Sequence, residues 1–289
     1  MPEQLRGKMF RGTTAVRSGL LTPNQLRGPA WRRLFPDAYV HADVPVTHVL
    51  RARAAACLVV PGAVVSGRSA ATLWGVDLAG PDEDVELSVP PGRPPVRTAG
   101  LRVRRCRLPR EQIRHRAGAF VTSAEETAVR LAGLLPGDDA VVAVDRLIAT
   151  GAAELEPIRN LAASARGAGS ARARKVCALA DGLAESPPET RLRLLIGRSG
   201  LPAPTAQYRV WHEGRIIARP DFAWPDRKVA LEYDGLWHAE DGQFASDRER
   251  LNLLREAGWT VVFVTAADMY RPERVIARIA AALASAVVR

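Results

Sequence analysis

The sequence predicts an α+β protein built in more than one part, and three observations carry that expectation. Short apolar runs with period two alternate with helical runs that open on Ser or Thr and stop at Gly. A break in composition, ARGAGSARAR at 165–174, sets off the last third of the chain. The length of 289 residues, at 47% hydrophobic content, is enough for about two packed cores. The expected organisation is a helix-turn-helix-like segment over 1–45, a mixed α/β region over 46–165, a linker over 166–186, and a mixed sheet flanked by helices over 187–289.

The N-terminal elements follow from local signals. Thr13 to Ser18 is a short helix ended by Gly19, and Thr22 before Pro23 opens a second one that stops near Gly28. Leu34 to Val40 then suits a wing or an edge strand. With Arg27, Arg32 and Arg33 near the second helix, this is either a small helix-turn-helix or a helical cap with solvated arginines. Thr47 to Val59 and Ser66 to Trp74 read as helices, the latter stopped by Gly75. Val85 to Val89 and Leu101 to Cys106 read as strands, and Ser123-Ala-Glu-Glu126 as a capping box for a helix through Leu134. Between these lies RVRRCRLPREQIRHR at 102–116. Its arginines, Arg102, Arg104 and Arg105 first among them, either touch phosphates or guard a solvated strand edge.

The C-terminal elements alternate more regularly. Ser186-Pro-Pro-Glu189 starts a helix that ends near Gly200. Strands are expected at 207–211, 215–219 and 229–233, separated by Glu213-Gly214 and Pro225-Asp226 turns. A helix over Gln243 to Ala257 with Gly258 as its left-handed stop, a strand over Trp259 to Val264, a Thr265–Asp268 cap and a closing helix over Pro272 to Val288 complete the order.

Composition restricts the partners. Cys57, Cys106 and Cys177 are far apart and form no C-x-x-C pair, which argues against a disulfide framework or a zinc knuckle and for a reducing cytoplasm. No apolar run is long enough to span a bilayer, so no membrane is expected. The net charge of +10 favours a polyanion, with nucleic acid first, although an arginine-rich composition has other origins.

The chemistry concentrates in RPDFAWPDRKVALEYDGLWH, 219–238. Asp221 stands at the start of a strand-like Phe-Ala-Trp, and Glu232 and Asp234 share one face of the next strand because side chains alternate. If the strands are neighbours, the acids converge. Carboxylates ~4 Å apart repel by roughly 4 kcal/mol at an effective dielectric near 20. A proton or a hard cation, Mg²⁺ or Mn²⁺, offsets that repulsion, and such an ion can position a phosphodiester and activate water.

At these residues the chain resembles a known family. Asp221 followed by Glu232-Tyr-Asp234 is similar to the PD-(D/E)xK nuclease motif. Residues 186–270, with DFAWP, EYDG, WH, DRER and GW in that order, resemble the very-short-patch-repair (Vsr-like) branch and its restriction-endonuclease-like fold. SGRSAATLWG and the segment before it resemble AbiEi-type antitoxins. The resemblance implies a Mg²⁺-dependent endonuclease acting on DNA, with RNA as the alternative substrate. It makes Asp221 the central metal ligand, Glu232 the second acid and Asp247 a further participant at the metal site. Asp234 departs from the motif by replacing its lysine, and Lys228 either reaches back or extends to solvent.

Other residues keep two readings. Asp247 lies on the helical stripe of Phe244, Leu251 and Leu254, so it needs a partner, either Arg248 or Arg250 or the metal-site water. Arg248 and Arg250 are also candidate phosphate contacts. His238 is a site histidine or an exposed loop residue. Glu189 caps its own helix by binding the Ser186 amide or borders the active site. Trp224, Trp237 and Trp259 fill the core or stack on bases. The competing function is a DNA-binding regulator, antitoxin-like, whose nuclease fold has lost turnover.

Overall fold

The computed structural model describes residues 2–234 and 243–286. The chain forms two compact units, 1–135 with 150–178, and 136–149 with 179–289. The α+β class expected from the sequence is the class observed. No described helix is long and apolar enough to cross a membrane.

The first unit opens with β1 (Phe10–Arg11), α1 (Gly12–Arg17), α2 (Pro23–Arg27), β2 (Trp31–Phe35) and β3 (Ala38–His41). Thr22 and Gln25 close a reciprocal capping box at the start of α2. The strands form an antiparallel sheet in the order β1-β3-β2, so the two short helices carry a small wing. Phe10, Trp31 and Leu21 bury against each other beneath it. Next come α3 (His48–Ala54), which runs into a π-helical turn over Ala55–Val59, then β4 (Val64–Val65), α4 (Gly67–Leu73), β5 (Val85–Val89), β6 (Leu101–Arg105), β7 (Ile113–Arg116), β8 (Ala119–Thr122) and α5 (Ala124–Leu134).

These strands make a mixed five-stranded sheet in the order β6-β5-β4-β8-β7. The arginine-rich stretch 102–116 therefore does not form one patch. It supplies both edges of the sheet, β6 on one side and β7 on the other, where charge opposes pairing with a further strand. Arg116 is spent locally: its Nε donates to the Leu73 carbonyl and its guanidinium lies 4.7 Å from the Trp74 ring centroid. The capping box of α5 forms only by half. The Ser123 hydroxyl accepts from the Glu126 amide, but the Ser123 amide already donates to the Gln112 carbonyl, which leaves the Glu126 carboxylate free to turn elsewhere. His48 is buried between the Gly80 carbonyl, 2.8 Å from Nδ1, and the Ser69 hydroxyl, 2.7 Å from Nε2. Burial holds its pKa below the ordinary value, so it serves the core as a neutral ring.

The chain then crosses twice between units. α6 (Gly137–Ala149) belongs to the second unit, while α7 (Leu155–Ser164) and α8 (Ser170–Leu179) pack with the first. The expected linker over 166–186, where the sequence suggests only a short helical Cys177–Asp181, carries a helix from Ser170 to Leu179, because Ala173, Val176 and Cys177 bury one side. The exposed loop before it holds Arg166. Limited trypsin digestion of the native chain should nick first at Arg166. The two products should co-elute, because α6, before the nick, is ion-paired to a helix after it. Separation without denaturant would contradict that pairing.

The second unit continues with α9 (Pro187–Arg198), β9 (Thr205–Ala206), β10 (Val210–His212), β11 (Arg215–Ala218), β12 (Phe222–Trp224), β13 (Val229–Asp234), α10 (Gln243–Glu256), β14 (Thr260–Thr265) and α11 (Pro272–Ser285). Its four-stranded sheet runs β14-β13-β12-β9, with β13 and β14 parallel and the others antiparallel. Alternation splits the packing. Phe222, Trp224, Val229 and Leu231 meet Leu192 and Ile196 of α9 and Val275 and Ile279 of α11. Ala223 and Ala230 face the other way, and their small size lets Leu254 of α10, Ala257 just after it and the separate β10–β11 hairpin approach. The strand expected over 207–211 is broken by Gln207, whose φ of 52° lies in the left-handed region and whose amide donates to the Asp221 carbonyl.

Candidate functional site

The second unit builds its site where β12, β13 and α9 meet. The register Phe222↔Leu231 puts Asp221 opposite Glu232 on the α10 face of the sheet. The Asp221 Oδ2 accepts from the Tyr233 amide at 2.7 Å. Burial pushes the Asp221 carboxyl up to about 6 against this amide, and Glu189, Glu232 and Glu185 push the same way. Among the described residues, no basic side chain forms an ion pair with Asp221.

Glu189 is 7% exposed, at the third position of α9. Its Oε1 accepts from the Ser186 hydroxyl at 2.7 Å and its Oε2 from the Glu185 amide at 2.8 Å, so the amide it caps is that of Glu185 rather than Ser186. The Gln207 Nε2 reaches the same Oε2 at 3.4 Å. The capping reading of Glu189 holds with the Glu185 amide in place of Ser186, and the same carboxylate lies near Asp221. It is fixed by its helix start and charges the surroundings of Asp221.

Glu232 is held by Arg250 of α10 through two parallel hydrogen bonds, the longer being 3.1 Å. Arg250 therefore reaches the carboxylate of the sheet, and a phosphate would have to compete for it. Asp234 is exposed at the end of β13. Lys228 does not reach back. At φ 48°, its Nζ donates to the Ala257 carbonyl at 2.7 Å, and along the strand it lies about 13 Å from Glu232. Trp224 and Trp259 are buried, the former donating to the Pro202 carbonyl. His238 and Trp237 lie outside the described residues. Asp247 falls on the α10 backbone with its side chain outside them, and Arg248 of the same helix is exposed.

The donor set is three hard carboxylates, which is the chemistry that Mg²⁺ or Mn²⁺ takes. Among the described residues no three ligating side chains stand close enough to share an ion, and Glu232 is paired with Arg250. A cation at Asp221 would relieve the repulsion there and would require Glu232 to exchange its guanidinium partner.

A second carboxylate of this unit has the opposite character. Asp145 of α6 is fully buried, and all its capacity is used: Oδ1 accepts from the Asp181 and Gly182 amides, and Oδ2 from the Thr190 hydroxyl and Arg193. Gly182 sits there at φ +68°, where an added Cβ would come 2.5 Å from Ile148. Asp138 and Asp139 pair with Arg198 and Arg191 of α9 along the same seam. Asp145 is a clasp, since no acceptor capacity is left for a ligand.

The sequence reading missed Gln207, Arg250 as the partner of Glu232, and the α6–α9 clasp. A signal for the last was present: Asp138 and Asp145 are seven apart, two turns on one face, as are Arg191 and Arg198. For Gln207 the sequence offers no signal, because nothing local marks a left-handed glutamine.

The fold is α+β, and its second unit places Asp221 and Glu232 at the two central strands of a mixed sheet, with Glu189 of α9 close enough to raise the Asp221 pKa. The chain matches no known family model and no solved structure. Over 167 residues it is 37% identical to two curated proteins of Mycobacterium tuberculosis, the uncharacterized protein MT2308 of strain CDC 1551 / Oshkosh and the uncharacterized protein Rv2248 of strain ATCC 25618 / H37Rv. The match covers 57% of this chain and 62% of each relative, so the chain spans less than two thirds of their length.

Proposed function

We propose that the second unit is a metal-dependent endonuclease that hydrolyses phosphodiester bonds in DNA, with Asp221 and Glu232 holding Mg²⁺ or Mn²⁺ and Glu189 bordering them. The observation that carries this reading is Asp221: a desolvated carboxylate with no basic partner among the described residues, facing two further acids. A protein core gains nothing from such a group, whereas a cation site needs one. The resemblance of 186–270 to the PD-(D/E)xK and Vsr-like nucleases points to the same chemistry. The ion, when bound, would supply charge neutralisation at the phosphate and lower the pKa of attacking water. The chain's own residues divide the remaining work. The Tyr233 amide fixes Asp221, Ser186 and Gln207 fix Glu189, and Arg250 can hand over from Glu232 to a phosphate oxygen.

Because Asp221 must ionise to take the ion, cleavage should rise with pH and level off above about 6. Supercoiled plasmid incubated with the pure chain and Mg²⁺ or Mn²⁺, against EDTA, tests the activity, and single-stranded DNA and RNA in parallel define the substrate. Binding without cleavage under all these conditions would favour the second reading, a DNA-binding regulator. That reading is supported by Asp234 at the lysine position and by the Arg250 pair on Glu232.

The first unit would dock DNA. Arg102, Arg104 and Arg105 are exposed on the β6 edge. Replacing all three should reduce the slope of log K against log salt by up to about 3, if each contacts one phosphate. An unchanged slope would assign them to guarding the edge.

A further inference from the structure

The first unit holds a cavity of about 380 Å³ between β6, α5, α7 and the start of α8. Arg104, Arg107, Arg130 and Arg166 line it against a single acid, Glu126. None of the four makes an ion pair among the described residues. Arg130 Nε is buried with no hydrogen-bond partner, and a buried charged donor is costly to leave so. Glu126, released from its capping role because Gln112 takes the Ser123 amide, is the nearby counter-charge for Arg104 and Arg130. Burial pushes its pKa up, while Arg130 and Arg104 pull it down. Arg166 is anchored by its Nη1 on the carbonyls of Ala163, Ser164 and Ala165. The N-terminus of α8, a helix of 10 residues, adds its dipole to the same wall. Val129 and Leu161 supply apolar wall.

We propose that this cavity binds a phosphorylated small molecule of mononucleotide size, its phosphate taking the Arg104–Arg130 position that Glu126 now counter-charges. The volume lies in the range of small-molecule sites and exceeds what inorganic phosphate alone would fill. The form is a concave pocket with apolar walls, which suits a base and sugar rather than the track of a nucleic-acid backbone. Bidentate guanidinium contacts give the phosphate end its specificity.

Calorimetric titration of the full chain with AMP, inorganic pyrophosphate and adenosine tests the site. AMP and pyrophosphate should bind and compete, and adenosine should not. Arg130→Met should weaken both by about tenfold or more, as loss of a charge-assisted contact does. Glu126→Gln removes the internal competitor and should tighten pyrophosphate binding, a gain that a purely structural role of Glu126 would not produce. If Arg130→Met does not fold, Glu126→Gln decides alone. The proposal is overturned if AMP fails to saturate the chain at millimolar concentration, or if adenosine binds as well as AMP. It is equally overturned if oligonucleotides alone bind, or if the folded variants leave the pyrophosphate affinity unchanged.

Discussion

Asp221→Asn is expected to raise the melting temperature in metal-free buffer and to abolish both cleavage and the stabilisation by Mg²⁺ or Mn²⁺. The folded-state pKa of Asp221 is raised from 3.8 to about 6, by burial first and by Glu189, Glu232 and Glu185 after it. Between these values the folded chain binds more protons than the unfolded one. The stability contributed by the protonated group is therefore complete below the ordinary pKa and lost as pH rises through about 6. At neutral pH the ionised carboxylate costs about 2 kcal/mol, allowing for partial exposure. The amide keeps the shape, and its oxygen can still accept from the Tyr233 amide. Its melting temperature should lie about 4 to 8 °C above that of the parent at pH 7, with the gap closing toward pH 4. Metal at about 100 times its dissociation constant should stabilise the parent by about 2.7 kcal/mol and the variant not at all. An acid paired with arginine would lose stability on the same change. A lower metal-free melting temperature, together with an intact metal response, would remove Asp221 from the site and leave the DNA-binding regulator as the reading.

Asp145→Ala should do the reverse to the same unit. It removes one carboxylate, leaves Arg193 with only Asp181 and the Leu179 carbonyl, and strands the Thr190 hydroxyl and the Asp181 and Gly182 amides in a region where Asp145 itself is fully buried. Breaking a buried ion pair from one side costs about 3 to 5 kcal/mol. In chemical denaturation, the transition followed by Trp224 and Trp259, both buried in the second unit, should move to lower denaturant by that amount. Asp145→Asn keeps one oxygen acceptor and should lose less. A shift under about 1 kcal/mol for Asp145→Ala would mean that water replaces the carboxylate, and that the clasp is not what holds α6 to α9.

The elements that were legible in the sequence are those fixed by local chemistry. Thr22 with Pro23, Ser186 with two prolines, and Thr265 with Asp268 cap as the sequence implied, because a cap needs only neighbours within a turn. Likewise, strand alternation alone implied that Asp221 and Glu232 could converge, once β12 and β13 were neighbours. Where the sequence misled, a distant partner outbid a local one. Ser123 formed half a capping box because Gln112 reached its amide first, and Gln207 left the strand because the Asp221 carbonyl held its amide. α8 formed inside a stretch that composition marked as linker, because burial of Val176 and Cys177 offsets poor intrinsic order.

The sequence by itself determined the class of the fold, the positions of most helices and strands, and the kind of atoms at the site: hard carboxylate oxygens on paired strands. Tertiary structure decided the rest. It assigned α6 to the second unit, spread one arginine-rich stretch over both edges of a sheet, gave Arg250 to Glu232, and left Asp221 desolvated and facing other acids. The physical reason is range. Caps and alternation act over a few residues and are written in the order of the chain, whereas desolvation and charge pairing depend on which residues meet in space.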